Sequence, residues 1–302
     1  MRTRRLSLRA KLVRLGTRYF IKHRSHGLSL AESRIVFRSM EKKTPPPPRA
    51  TKTVRVDAAG VPADWITRPA SRAGRAVLYL HGGGYCLGSP AMYRHFTWRI
   101  ADAARARVLI TDYRLAPEHP FPAALEDAVA AYRWLLQQNP QEMLVMGDSA
   151  GGGLTLALLL KLRDEGLRLP DAAVALSPWT DLALTGASLA ANAAADPMLD
   201  VRELPKVAAD YLGGADPRNP YASPLYGDPR GLPPVLIQVG SDEILYDDAA
   251  RMAEKLRAAN PRSELQVWRL MPHVWQAYAP VLPEARAAIA DIGRYVAHIV
   301  GP

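Results

Sequence analysis

Five residues in the middle of the chain carry the clearest chemical signal: Gly147-Asp148-Ser149-Ala150-Gly151. A Gly-x-Ser-x-Gly string also arises by chance, so its flanks decide its meaning. Here an apolar strand pattern, Met143 to Met146, runs into it, and a helical pattern, Leu154 to Leu160, runs out. A sharp strand-to-helix turn needs close backbone approach, which glycine permits, and it presents the serine hydroxyl on its tip. The helix that follows aims its free N–H groups and the positive end of its dipole at whatever the serine attacks. The chemistry this suits is nucleophilic attack by Ser149 on an acyl carbon.

Acyl transfer puts negative charge on the carbonyl oxygen, and each fixed backbone donor aimed there is worth about 2.7–4 kcal/mol. His81-Gly82-Gly83-Gly84-Tyr85 directly follows the apolar run Ala76–Leu80. A glycine run at a strand end can offer such donors unobstructed, together with the N–H of the residue after the nucleophile, Ala150.

A serine needs a base, and the base needs an orienting carboxylate. Of seven histidines, His23 and His26 lie near the N-terminus, His95 in or near a helix, His119 in a Pro-rich loop and His298 in the last helix. His273 follows a late strand pattern, Leu265–Leu270, in a short loop, and strand C-terminal ends are where open α/β sheets build sites. For the carboxylate, Val235–Val239 leads into Gly240-Ser241-Asp242-Glu243. Asp242 is the first acid past that strand and is expected to orient His273. Asp247 and Asp248, opening the next helix pattern, read as capping or loop-fixing residues.

These loops need a frame. Apolar runs at Ala76–Leu80, Val108–Thr111, Met143–Met146, Val174–Leu176, Val235–Val239 and Leu265–Leu270 alternate with helical stretches such as 122–138, 152–165 and 247–259, before a last helix at 284–299. Such alternation predicts a doubly wound α/β fold with a mostly parallel sheet buried on both faces. A hairpin is expected earlier, with Thr53–Val56 and Asp64–Thr67 around the Ala59-Gly60 turn. The stretch 180–228 breaks the rhythm and reads as an insertion above the sheet.

With 302 residues, 48% of them hydrophobic, the chain can bury a large α/β core. Cys86 is the single cysteine, so no intrachain disulfide forms, and a small buried residue is its expected role. The net charge of +10 could attract nucleic acid, but Arg2, Arg4, Arg5, Arg9, Lys11, Arg14, Arg18, Lys22 and Arg24 concentrate it at the N-terminus, so a nucleic-acid partner is not expected. No apolar run approaches a membrane span and no signal-peptide core interrupts the cations; a cytoplasmic protein without stable membrane insertion is expected. Leu8, Leu12, Leu15 and Tyr19 recur at helical spacing, predicting a basic amphipathic helix over 5–22. Its stripe fits either a membrane surface or the main domain, and packing on the main domain is the expectation. Pro45–Pro48 closes this segment.

Taken together, His81–Gly84, the segment Tyr113-Arg114-Leu115-Ala116-Pro117-Glu118-His119-Pro120-Phe121-Pro122, Gly147–Gly151, Asp242 and His273 resemble the hormone-sensitive-lipase-like family of α/β-hydrolase esterases. The resemblance spans roughly residues 50–302. It implies the α/β-hydrolase fold and ester hydrolysis with Ser149 as nucleophile, His273 as general base and acid, and Asp242 as orienting carboxylate. It implies an oxyanion hole from the N–H groups of Gly83, Gly84 and Ala150, with His81 and Tyr113–Pro122 as scaffolding. It implies a cap built from residues 1–50 and from the 180–228 insertion of a 51–302 catalytic domain, a homodimer joined at a sheet edge, and no metal or cofactor. The substrate expected is a small short- to medium-chain ester. Lactones or amides would serve the same triad, and an emulsion-acting lipase would use the basic helix at an interface. A pure receptor role, as in plant gibberellin receptors that lack the histidine, is disfavoured because His273 is kept.

Overall fold

The computed structural model describes residues 6–23, 27–41 and 43–302. Two helices come first, α1 (Leu8–Thr17) and α2 (Leu30–Glu41), and α1 continues into a wider π-helical turn, Arg18–Lys22. Then follow β1 (Lys52–Ala58), β2 (Val61–Thr67), β3 (Arg75–Leu80), α3 (Pro90–Ala104), β4 (Arg107–Thr111), α4 (Ala123–Gln137), β5 (Glu142–Asp148), α5 (Ala150–Asp164) and β6 (Ala172–Leu176). After the short α6 (Ser188–Ala191) and α7 (Leu204–Leu212) come β7 (Val235–Gly240), α8 (Tyr246–Ala259), β8 (Glu264–Trp268) and α9 (Pro283–Val300).

Among the described residues the eight strands form one sheet in the order β1-β2-β4-β3-β5-β6-β7-β8. β1–β2 and β2–β4 pair antiparallel and every other neighbouring pair runs parallel. The central strands are apolar throughout because both faces are covered. Along β3, Ala76, Leu78 and Leu80 pack with α4 and α5, whereas Val77 and Tyr79 pack with α3 and α9. β5 divides the same way, Met143 and Val145 to one face and Leu144 and Met146 to the other. This period of two is the pleat of a strand buried on both sides.

The expected strands are all present, although β8 stops at Trp268, two residues short of the predicted Leu270. The helix α2 is not among the expected elements. Of the helix expected over 5–22, residue 5 lies outside the described residues, as do Arg2, Arg4, Arg24 and His26. The helix begins at Leu8, after the N-cap Ser7, and runs on through Lys22, but the expectation that its apolar stripe packs on the main domain is corrected. Leu8, Leu12, Leu15 and Tyr19 all face outward, and α1 buries only Ala10 and Thr17. The opposite, cationic side holds the helix down. Arg14 donates to the Leu270 carbonyl (2.7 Å), Arg18 to the Ala194 carbonyl (2.8 Å) and Lys22 to the carbonyls of Ala193 and Asp196 (both 2.8 Å). Loop carbonyls without ladder partners need donors, and cations spaced four apart on a helix supply them.

Candidate active site

The site is assembled where β3, β5, β6, β7 and β8 end, the rim at which parallel sheets place their loops. Ser149 caps β5 and opens α5 at φ 54°, ψ −123°, a conformation costly for any residue with a side chain. Its own backbone is fixed from both sides, its N–H donating to the Leu176 carbonyl (2.8 Å) and its carbonyl accepting from Trp179 N–H (3.0 Å). Gly151 lets this turn press against β3, since a Cβ there would collide with the backbone oxygens of Leu80 and His81.

The structure brings His273 to Ser149: Nε2 lies 2.8 Å from the serine Oγ. Its Nδ1 lies 2.7 Å from a carboxylate, and that carboxylate belongs to Glu243. This corrects the expectation for Asp242, which sits one residue earlier and points the other way. Asp242 takes a hydrogen bond from Ser241 Oγ (2.8 Å) and a salt bridge from Arg14 (2.8 Å). Glu243 is fully buried, and its other oxygen accepts from Gly240 N–H (2.5 Å) and Ser177 Oγ (2.8 Å). Ser177 also accepts from Val274 N–H (3.2 Å), so one hydroxyl ties the loops after β6, β7 and β8 together.

Burial alone would lower the His273 pKa, but the hydrogen bond and charge of Glu243, with Asp196 and Asp148 farther away, outweigh it and leave it raised. The sequence does not single out Asp196. It is buried, accepts from Met198 and Leu199 N–H, and holds Ile244 N–H (2.9 Å), which fixes the Glu243 loop against the 180–228 stretch. Its only sequence signal is an Asp-Pro pair in a loop. Asp247 and Asp248 fix loops as expected. Asp247 accepts from Ser188 N–H (2.9 Å), and Asp248 accepts from the N–H groups of Thr180 and Asp181 (both 2.8 Å). Burial pushes the Asp248 pKa up to about 8.

The glycine run passes directly over the nucleophile. A Cβ on Gly82 would stand 3.1 Å from the Ser149 Cβ. Gly83, at φ 125°, turns the loop back so that its carbonyl accepts from Leu87 N–H (2.9 Å). Gly83 and Gly84 spend their N–H groups on no partner among the described residues, and Ala150 offers one of the free N–H groups of the first turn of α5. His81 is buried, stacks on Tyr113 with ring centres 4.3 Å apart, and has its pKa pushed down to about 4 by burial. The Tyr113 hydroxyl donates to the His81 carbonyl (2.7 Å). Tyr85 stacks on Tyr211 of α7 at 3.6 Å and lies beside Trp179, so an aromatic wall borders the glycine loop. Trp275, by contrast, is buried on the α9 side of the sheet beside Trp268. Cys86 is buried and its thiol is pushed up to about 12 by burial, in keeping with a packing role.

Asp148 locks the glycine loop to β5. It accepts from Tyr79 (2.8 Å), Tyr93 (2.7 Å) and Gly82 N–H (3.2 Å), three donors that suit a carboxylate, while burial pushes its pKa up to about 6. Asp148→Asn puts an amide N–H₂ against those donors. It is expected to lower kcat roughly 10- to 100-fold with KM little changed, since the glycine N–H groups would no longer be held still. Steady-state kinetics beside a thermal melt checks this: kcat unchanged in a folded variant contradicts it.

Comparison with known proteins identifies the family. Residues 77–277 match the model of a family described by its alpha/beta hydrolase fold. An acetyl-hydrolase of Streptomyces hygroscopicus is 51% identical over 79% of this chain and 80% of that protein. An esterase of Acinetobacter venetianus is 37% identical over 78% and 79% of the two chains. A crystal structure of an esterase from the bacterial hormone-sensitive lipase family superposes with a TM-score of 0.93 at 44% identity, covering 99% of this chain and 100% of that one. The chain belongs to the hormone-sensitive-lipase-like family of α/β-hydrolase-fold esterases.

Proposed function

We propose that the chain hydrolyses short- to medium-chain carboxylic esters by double displacement at Ser149. The observation that carries this is the unbroken relay of Ser149 Oγ, His273 and the Glu243 carboxylate, set beside three unspent backbone N–H groups. His273 Nε2 takes the serine proton as Oγ bonds to the ester carbon, and the carbonyl π pair moves onto oxygen. The N–H groups of Gly83, Gly84 and Ala150 form the oxyanion hole that receives that charge. The pair then re-forms the carbonyl and expels the alkoxide, which takes the proton from His273 and leaves as an alcohol. Water, deprotonated by His273, repeats the sequence on the acyl-enzyme and frees the acid and Ser149. Glu243 keeps the Nδ1 proton in place and stabilises the imidazolium between steps.

The 1–50 segment and the 180–228 insertion act as the cap. Arg14, Arg18 and Lys22 fasten the first to loops of the second, and the Tyr211 ring from the second closes on Tyr85. A homodimer joined along β8, which pairs only with β7 among the described residues, fits the same reading. The names of the relatives, acetyl-hydrolase and esterase, support the substrate class. Turnover of p-nitrophenyl esters of increasing acyl length is expected to peak at short to medium chains. A folded protein inactive at every length would reject the reading.

A further inference from the structure

The first helix is amphipathic in the reverse sense. Its cations Arg14, Arg18 and Lys22 face the protein, and its apolar ridge faces out, with Leu8 73%, Leu12 61%, Leu15 66% and Tyr19 59% exposed. Arg9 and Lys11 flank that ridge, one on either side, and both are exposed. A ridge of four large apolar side chains is not scattered surface hydrophobicity, and among the described residues nothing packs over it. The second helix repeats the arrangement. Arg34 points inward to Glu118 (2.6 Å) and the carbonyls of Cys86 and Ala116, while Ile35 is 67% exposed.

We propose that this N-terminal face docks on an anionic lipid surface. Charge selects the occupant. No Asp or Glu occurs before Glu32, and the chain carries a net charge of +10, so the charged residues that the helix itself sets beside the ridge are cations, while Glu284 from the last helix accepts from Ser7 at the helix start. Apposing the same face of a second copy would set Arg9 and Lys11 against their own like, whereas anionic headgroups complement them. An apolar ridge buried at the headgroup boundary, rimmed by Lys and Arg, is how peripheral helices lie on membranes. No described helix is long and apolar enough to cross a membrane, so docking is peripheral. Through Arg14 the docked helix is joined to Asp242 and to the Leu270 carbonyl, so the helix would stand between the lipid surface and the loops that carry Glu243 and His273.

The test is sedimentation of the full chain with vesicles of phosphatidylcholine, with or without phosphatidylglycerol. Binding is expected to the anionic vesicles and to fall with added salt. Leu12→Ser/Leu15→Ser/Tyr19→Ser is expected to weaken it on the order of 100-fold, with turnover of p-nitrophenyl acetate and the thermal midpoint unchanged. Arg9→Gln/Lys11→Gln is expected to weaken it roughly 25-fold. No binding by the wild-type chain, or equal binding by the wild type and both variants, overturns the proposal. So does an oligomer of the wild type that the serine variant disperses while vesicles capture neither, which would give the face to a second copy. Because vesicle binding is read without turnover, its failure is separate from failure of the esterase reading.

Discussion

Glu243→Gln is expected to lower kcat on the order of 10⁴-fold, while Asp242→Asn lowers it less than about tenfold. The introduced glutamine could present its N–H₂ to His273 Nδ1 and so favour the tautomer with the proton on Nε2, the atom that must accept it from Ser149. Losing the carboxylate also leaves the imidazolium of the transition state without a counter-charge in a buried site. Asp242 touches neither catalytic side chain and holds Arg14 instead, so its substitution loosens the attachment of α1 and leaves the chemistry standing. The pH profile adds an independent reading. His273 must be neutral to act as base, and its pKa is raised above 6.5, so kcat/KM should be fully developed at high pH and lost as pH falls through that raised value. Removing the Glu243 charge lowers the His273 pKa, so the residual activity of Glu243→Gln should keep its acidic limb at lower pH than the wild type. An Asp242→Asn variant as impaired as Glu243→Gln would contradict the assignment.

The second large effect is that of Ser149→Ala, expected to cut kcat on the order of 10⁶-fold with the fold retained. Alanine removes the only atom that forms a bond to substrate. The residual rate is what the glycine N–H groups and bound water provide without a nucleophile. The backbone is held by the Leu176 and Trp179 hydrogen bonds, which alanine keeps, so the thermal midpoint should hardly move. A Ser149→Ala variant with more than about a hundredth of wild-type activity would place the nucleophile elsewhere.

Ser149 and His273 are legible in the sequence because the first stands directly after an apolar strand and the second in the short loop that follows one, and period and turn signals locate strand ends well. The carboxylate is not. Asp242 and Glu243 are adjacent, and position after a strand cannot say which turns inward. Two of the contacts that make the choice are remote in sequence: Ser177, 66 residues away, joins the local Gly240 N–H in drawing Glu243 in, and Arg14, 228 residues away, draws Asp242 out. The outward stripe of α1 escapes the sequence for a related reason. Apolar spacing ordinarily marks the packed face, but the surface beneath α1 is a set of loop carbonyls, which bind cations rather than leucines. The helix α2 is held by Arg34, whose partners no spacing rule reveals.

The central claim is that Ser149 becomes covalently acylated with His273 as its base. The most direct measurement is the intact mass of the protein after exposure to a p-nitrophenyl phosphonate ester, followed by peptide mapping. A single phosphonyl adduct on Ser149, formed faster as pH rises through the His273 pKa and absent from Ser149→Ala, is the predicted result. An adduct on another residue, or none on a folded protein that still cleaves esters, would contradict it.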